Sequence, residues 1–258
     1  MGKFIKQIPN LFTLLNLFFG CGAIVLILEN GLVLADAGNG TQWLSLSPQI
    51  WYASLLIGLA AVVDFLDGFV ARLLKASSEL GKQLDSLADV VSFGVAPSLI
   101  IYHFLKLSYA HMENGLSVTW WALTPAFLVA CAAAYRLAVF NIATDQQFGF
   151  KGVPTPAIGL TVASFPMIYF GLENQTALSI AHQSIFWYVV IAILSFLMVS
   201  QWPLMAFKFK DKSIAGNLPQ IILVLIAVVG AILLQWIAVP VVFIAYIALS
   251  LAFKKKTP

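Results

Sequence analysis

Charge is scarce in this sequence. Of 258 residues, 14 are Lys or Arg and 11 are Asp or Glu, together 10%, where a soluble domain carries about 25%. With 61% hydrophobic residues and a mean hydropathy of +0.94, that scarcity excludes disorder and an ordinary soluble fold. A polytopic membrane protein is left. Cysteine is nearly absent too: Cys21 and Cys131 both lie inside apolar runs, without a CxxC or Cys/His cluster to hold a soft metal. The three histidines, His103, His111 and His182, are scattered. There is no low-complexity tract, internal repeat or soluble domain, so residues 1–258 read as one integral membrane unit. The N-terminal apolar run lacks a small-residue cleavage site and reads as a retained first span.

Long apolar runs are abundant. A span needs roughly 20 mainly apolar residues. Eight windows qualify, near 10–28, 50–74, 84–107, 119–142, 155–172, 184–206, 215–234 and 237–253. The expected fold is therefore all-α, a bundle of about eight transmembrane helices. The segment near 29–49 reads as a polar loop, with Asn39-Gly40-Thr41 matching a glycosylation acceptor. Eight spans put both termini on one side, with 13 of the 14 basic residues, from Lys3 and Lys6 to Lys254–Lys256. Only Lys106 falls opposite, beside Glu29, Asp36, Glu113 and Glu173. The positive-inside rule makes the basic side cytosolic. The basic clusters at 208–212 and 254–256 orient the chain and touch anionic headgroups of the membrane lipids.

Against this background, five of the 11 acidic residues sit within DFLDGFVARLLKASSELGKQLDSLAD, residues 64–89. Asp64 and Asp67 are three apart, Asp85 and Asp89 four apart, so each pair shares a helix face. A short polar connection near Ala76–Gly81 predicts antiparallel neighbouring helices whose aspartates face each other at the cytosolic boundary. Four such carboxylates repel one another and need positive charge among them. Oxygen-only ligands suit Mg²⁺ or Mn²⁺, with Ca²⁺ ranked behind them, and paired metals serve phosphoryl chemistry. Gly68 lets a ligand approach the backbone, Ala71 keeps the same face open, and Arg72 can grip phosphate oxygens. Together these features suggest a pyrophosphate site. The structural alternative is a hairpin in which Arg72, Lys75 and Lys82 neutralise the acids. A second alternative is a cation channel or transporter with the aspartates as an ion path.

Residues 64–89 read D-x2-D-G-x2-A-R-x8-G-x3-D-x3-D, eight fixed residue types over 26 positions. This resembles the signature of the CDP-alcohol phosphatidyltransferase family. IPNLFTLLNLFFG at 8–20 is similar to the family's Pro-Asn-x-x-Thr opening, with Asn16 where other branches tend to have arginine. SFGVAPS at 92–98, YRLAVFN at 135–141 and GVPTPA at 152–157 are similar to the serine-using branch, although Val139 stands where that branch often has a second arginine. The likeness covers about residues 5–157, leaving 158–258 as additional spans.

The resemblance implies a membrane enzyme that moves a phosphatidyl group from CDP-diacylglycerol to an alcohol, here the hydroxyl of L-serine, and releases CMP. It implies two divalent cations on Asp64, Asp67 and Asp85, with Asp89 as general base and also within reach of the second metal. It places the CDP-lipid at Asn10, Thr13, Gly68, Ala71 and Arg72, where Asn10 also suits an N-cap and Thr13 and Asn16 also suit helix packing. The serine carboxylate falls to Arg136, an ionisable residue in an apolar run, with Lys151, Ser92 and Asn141 as further contacts. The family also implies a homodimer in a prokaryotic inner membrane, with the active site facing the cytosol and no nucleic acid partner. Glycerol 3-phosphate, inositol, inositol phosphate or choline are the acceptors of other branches.

Overall fold

The structure is a computed structural model that describes residues 7–36, 42–76, 78–112, 117–142, 150–171, 175–205 and 217–253. Continuous apolar sequence leaves the backbone no solvent to bond with in a membrane, so its N–H and C=O groups pair within helices. The principal helices are α1 (Ile8–Glu29), α2 (Ile50–Leu73), α3 (Glu79–Asp89), α4 (Ala96–Ala110), a short α5 (Trp120–Leu123), α6 (Leu128–Ile142) and α7 (Thr155–Gly171). They are followed by α8 (Gln175–Ala181), α9 (Ser184–Val199), α10 (Leu218–Leu234) and α11 (Ala238–Ala252).

Among the described residues, five helical runs are long and apolar enough to cross a membrane: Ile8–Glu29, Ile50–Leu73, Glu79–Ala110, Trp120–Ile142 and Leu218–Ala252. Two shorter apolar helices are Thr155–Gly171 and Ser184–Val199. The run Leu218–Ala252 is not one rod. At Gln235 the backbone turns through φ 50, and α10 packs back on α11, with Gly230 allowing close approach to Ala238. Each of the eight expected windows thus holds an apolar helix, but the edges moved. The third helix starts earlier, at Glu79, because Ser78 caps it by accepting from the Gly81 N–H at 3.0 Å. The sixth ends early, at Val199, where the chain leaves the helix to pair with a preceding loop.

Glu79–Ala110 is the central pillar. Its apolar window is 72% buried, against 17% for Leu218–Ala252. Phe93, Ile100, Ile101, Phe104 and Leu105 on it are almost fully buried against Ile57, Ile158 and Ile191. Outward faces such as Leu225, Ile232 and Leu233 of α10 are exposed and apolar, as lipid contact requires. Between α3 and α4, Val90–Val95 forms a wider π-helical turn. Pro97 has no N–H to give the Phe93 carbonyl and its ring crowds that carbonyl, so the helix widens just ahead of it. This turn begins at the residue after Asp89.

Two expectations change. The segment after α1 is not simply a loop: β1 (Leu32–Asp36) and β2 (Gln42–Leu46) pair antiparallel, Leu32 opposite Leu46 and Ala35 opposite Trp43. Phe150–Lys151 (β3) pairs with Pro203–Leu204 (β4) in a second small antiparallel pair. The all-α reading becomes a mostly helical one. Asn39-Gly40-Thr41 and both basic clusters lie outside the described residues. The arms of the aspartate hairpin, moreover, pack chiefly on a third helix: α1 runs along both α2 and α3.

Candidate active site

The site is built on three helices. α1 buries Pro9 and, from Asn10 on, Thr13, Asn16, Gly20, Ala23 and Ile27, a single stripe at three- and four-residue intervals. Its first half is polar although the helix is otherwise apolar, and that half faces the aspartates. On α2, Asp67 is buried and Asp64 partly buried. On α3, Asp89 is buried and Asp85 partly buried. Carboxylate oxygens of Asp64, Asp67 and Asp85 all lie within 4.8 Å of one another. Asp89 contacts the Asp64 carboxylate and completes the cluster.

Neutral donors hold two of the acids. The Thr13 hydroxyl donates to Asp67 Oδ2 at 2.8 Å, and Asn16 Nδ2 donates to Asp89 Oδ1 at 3.3 Å. Among the described residues, no lysine or arginine pairs with any of the four. Lys82 instead donates to the Asn141 carbonyl at 2.9 Å, and Arg72 is exposed. The salt-bridged hairpin is therefore not what forms. Four carboxylates gathered without a described lysine or arginine among them, oxygen-only and partly open, fit a divalent metal.

The other expected residues separate into groups. Asn10 sits over Gly81, where an added Cβ would come 2.9 Å from its Oδ1, and its amide donates to Gln7 Oε1 at 2.8 Å. It does not cap α1, whose N-cap position is Gln7. Gly68 faces open space, with nothing within 4 Å of an added Cβ. Ala71 is partly buried one turn on. That leaves a small-residue surface beside the acids.

Arg136 is 9% exposed, and its charge lies within electrostatic reach of Asp89. Its Nη2 donates to the Gly152 carbonyl at 3.3 Å, while its Nε has no partner. Gly152 explains the glycine of GVPTPA: its φ is 74, and a Cβ there would press to 2.6 Å from the Met198 carbonyl. Ser92 donates to the Asn16 carbonyl at 3.1 Å, fastening α1 to the π-helical turn. Asn141 donates to Ser86 Oγ at 2.9 Å and ties α6 to α3, with its Oδ1 left unpaired. The side chain of Lys151 lies outside the described residues. Asn16 and Gly152 were missed as site residues. The three-residue spacing of Asn10, Thr13 and Asn16 in an apolar run was the available signal for Asn16.

An apolar cavity of about 420 Å³ opens between α2, α7 and the α10–α11 turn, lined by Leu55, Gly58, Leu59, Leu160, Met167 and Trp236 among others. Gly58 lies six residues before Asp64 on α2, about 9 Å along the axis.

The family model for CDP-alcohol phosphatidyltransferase matches residues 6–193. A CDP-diacylglycerol–serine O-phosphatidyltransferase of Helicobacter pylori is 34% identical over 223 residues, 84% of this chain and 78% of the relative. The protein of that name from Mycobacterium bovis is 29% identical over 255 residues, 95% of this chain and 77% of the relative. An archaetidylserine synthase of Methanothermobacter thermautotrophicus is 33% identical over 146 residues, 55% of this chain and 58% of the relative. The aspartate cluster, the small-residue surface beside it and a match over most of the chain agree, and this protein belongs to the CDP-alcohol phosphatidyltransferase family.

Proposed function

We propose that this protein transfers the phosphatidyl group of CDP-diacylglycerol to the hydroxyl of L-serine, giving phosphatidylserine and CMP. The observation that carries this reading is the aspartate cluster without a cationic side chain paired to it among the described residues, with a buried arginine of unpaired Nε in electrostatic reach of Asp89. Asp64, Asp67 and Asp85 would hold divalent cations, Mg²⁺ or Mn²⁺, with Asp89 as a further ligand. Bound there, the metal would neutralise charge on the donor's diphosphate. Asn10, Thr13, Gly68, Ala71 and Arg72 receive the CDP end. The apolar cavity on α2 takes one hydrocarbon chain of the donor.

Asp89 accepts the proton of the serine hydroxyl. That oxygen attacks the phosphorus next to diacylglycerol, forming one P–O bond as the P–O bond to CMP breaks. Arg136 pairs with the serine carboxylate, and Ser92, Asn141 and Lys151 support that side of the site. No covalent intermediate with the protein is needed.

The chain would lie in a prokaryotic inner membrane as eight spans, with both termini and the aspartates cytosolic, and would act as a homodimer. The names of the relatives support serine as acceptor. A second acceptor stays in view, because Val139 removes an arginine. The test is CMP release by purified protein with CDP-diacylglycerol and Mn²⁺ against L-serine, glycerol 3-phosphate, inositol and choline in parallel. Release with serine alone is expected. Release only with another alcohol keeps the family chemistry and replaces the acceptor.

A further inference from the structure

Asn16 occupies an unusual position. It is fully buried, at 0% exposure, in the middle of the α1 stripe. Its Nδ2 donates to Asp89 Oδ1 at 3.3 Å. An ionised carboxylate only accepts, so the amide presents its NH₂ to Asp89 and turns its oxygen away. That oxygen, Asn16 Oδ1, has no hydrogen-bond partner. A buried acceptor left unpaired costs about 1–3 kcal/mol, and such groups in a folded protein call for an explanation.

The residue is also held in place. The Ser92 hydroxyl donates to the Asn16 carbonyl at 3.1 Å. Gly20, one turn along α1, gives Ser92 its room: a Cβ there would come 2.9 Å from the Ser92 Cα. Asn16 is thus clipped by its backbone to the turn that follows Asp89. The side chain itself is fully buried and bonded to Asp89.

A second unpaired group lies on α6, on a residue whose charge is within electrostatic reach of the same carboxylate. Arg136 Nε is buried, without a partner, and is a donor only. An orphaned acceptor in contact with Asp89 through its own amide, and an orphaned donor within electrostatic reach, therefore attend the residue that would take the proton. A zwitterionic hydroxy amino acid carries the complement of all three: an ammonium for the acceptor, a carboxylate for the donor and a hydroxyl for the base. Glycerol 3-phosphate and inositol have no ammonium and would leave Asn16 Oδ1 unpaired.

We propose that Asn16 Oδ1 receives the ammonium group of the acceptor while the same side chain's Nδ2 orients Asp89. This rests on the reading of the protein as a transferase to serine. It adds an amino-group subsite on α1, on the residue standing where other branches of the family tend to have arginine. One amide then couples recognition of the amine to the placement of the base.

The test compares L-serine with 3-hydroxypropanoate, which is serine without its amine. The wild-type protein, Asn16→Ala and Asn16→Asp are purified in detergent. For each, the KM of L-serine, the Ki of 3-hydroxypropanoate as its competitor and the KM of CDP-diacylglycerol are measured. In the wild type, 3-hydroxypropanoate should bind at least about tenfold more weakly than serine. In Asn16→Ala, the serine KM should rise about tenfold or more, with the Ki of the amine-free analogue moving less than about twofold. Asn16→Asp keeps an oxygen acceptor and should preserve discrimination between the two, while turnover falls because Asp89 has lost its donor. An unchanged KM for CDP-diacylglycerol shows that the variants are folded.

Equal weakening of serine and analogue in Asn16→Ala would overturn the ammonium contact and leave Asn16 as a positioning residue alone. Equal binding of the two by the wild type would overturn it without any variant. A wild-type protein that releases CMP with some other acceptor and never with serine is a separate result, which defeats the proposed function itself.

Discussion

At the Asp89 end of the central pillar, polar side chains are left wanting. Four carboxylates meet without a cationic side chain paired to them among the described residues, and Asn16 Oδ1 and Arg136 Nε are buried without partners. At the His111 end, about 33 Å away along the helix axis, polar side chains satisfy one another. Tyr109 and Tyr188 hydroxyls meet at 2.8 Å, and Tyr188 donates to the Ala122 carbonyl at 2.7 Å. Tyr169 reaches His182 Nε2 at 3.4 Å, and the His111 and His182 rings stack at 3.9 Å. Both ends gather polar groups in an apolar protein, buried or half-buried at the first and half-buried or exposed at the second. Among the described residues, only the first leaves them unfinished, and an unfinished network is a place for ligands, whereas a closed one holds helices together.

The sharpest way to break this contrast is Asp89→Asn. CMP release should fall by about 10²–10⁴-fold, the range for losing a general base. The metal-free melting temperature should hold or rise, because one repelling charge is gone. A variant that loses activity because it unfolds would count against the contrast. Next in size is Thr13→Val, which removes the donor to Asp67. Metal affinity should weaken by about tenfold or more, as for other supports of a ligand, read by Mn²⁺ titration of the melting temperature.

At the opposite end, Tyr188→Phe should cost about 1–2 kcal/mol in denaturant unfolding and leave the turnover number unchanged. A large loss of turnover would erase the distinction between the ends. The smallest effect is that of His182, which lies between α8 and α9. Burial, and then the neighbouring His111, hold its pKa below the ordinary 6.5. The unfolded chain therefore binds a proton at a pH where the folded protein still resists it. The stabilisation is complete above about 6.5 and is lost as pH falls below that value. Melting temperature measured between pH 7.5 and 5 should drop more in the wild type than in His182→Gln.

The sequence carried the aspartate end well because its chemistry is local. Spacings of three and four residues fix a helix face whatever the tertiary fold, and the lack of charge elsewhere made four acids conspicuous. The helices were legible because apolar runs in a membrane have few other options. What sequence concealed is non-local or depends on a break in periodicity. The π-helical turn after Asp89 arises where Pro97 spoils a regular helix. The wedge of α1 between α2 and α3 is a packing outcome, and so are the partners of Asn16 and the turn at Gly152 that presents a carbonyl to Arg136. β1 and β2 were read as polar loop because LVLAD and QWLSL are short and flank Gly and Asn.

The most direct measurement is transfer of label from L-serine into lipid by the purified protein with CDP-diacylglycerol and Mn²⁺, run beside Asp89→Asn. Labelled phosphatidylserine with stoichiometric CMP, both dependent on added metal and both lost in a folded Asp89→Asn protein, is the expected result. Labelled lipid at an undiminished rate in Asp89→Asn, or no metal-dependent CMP release with any acceptor from folded wild-type protein, would contradict it.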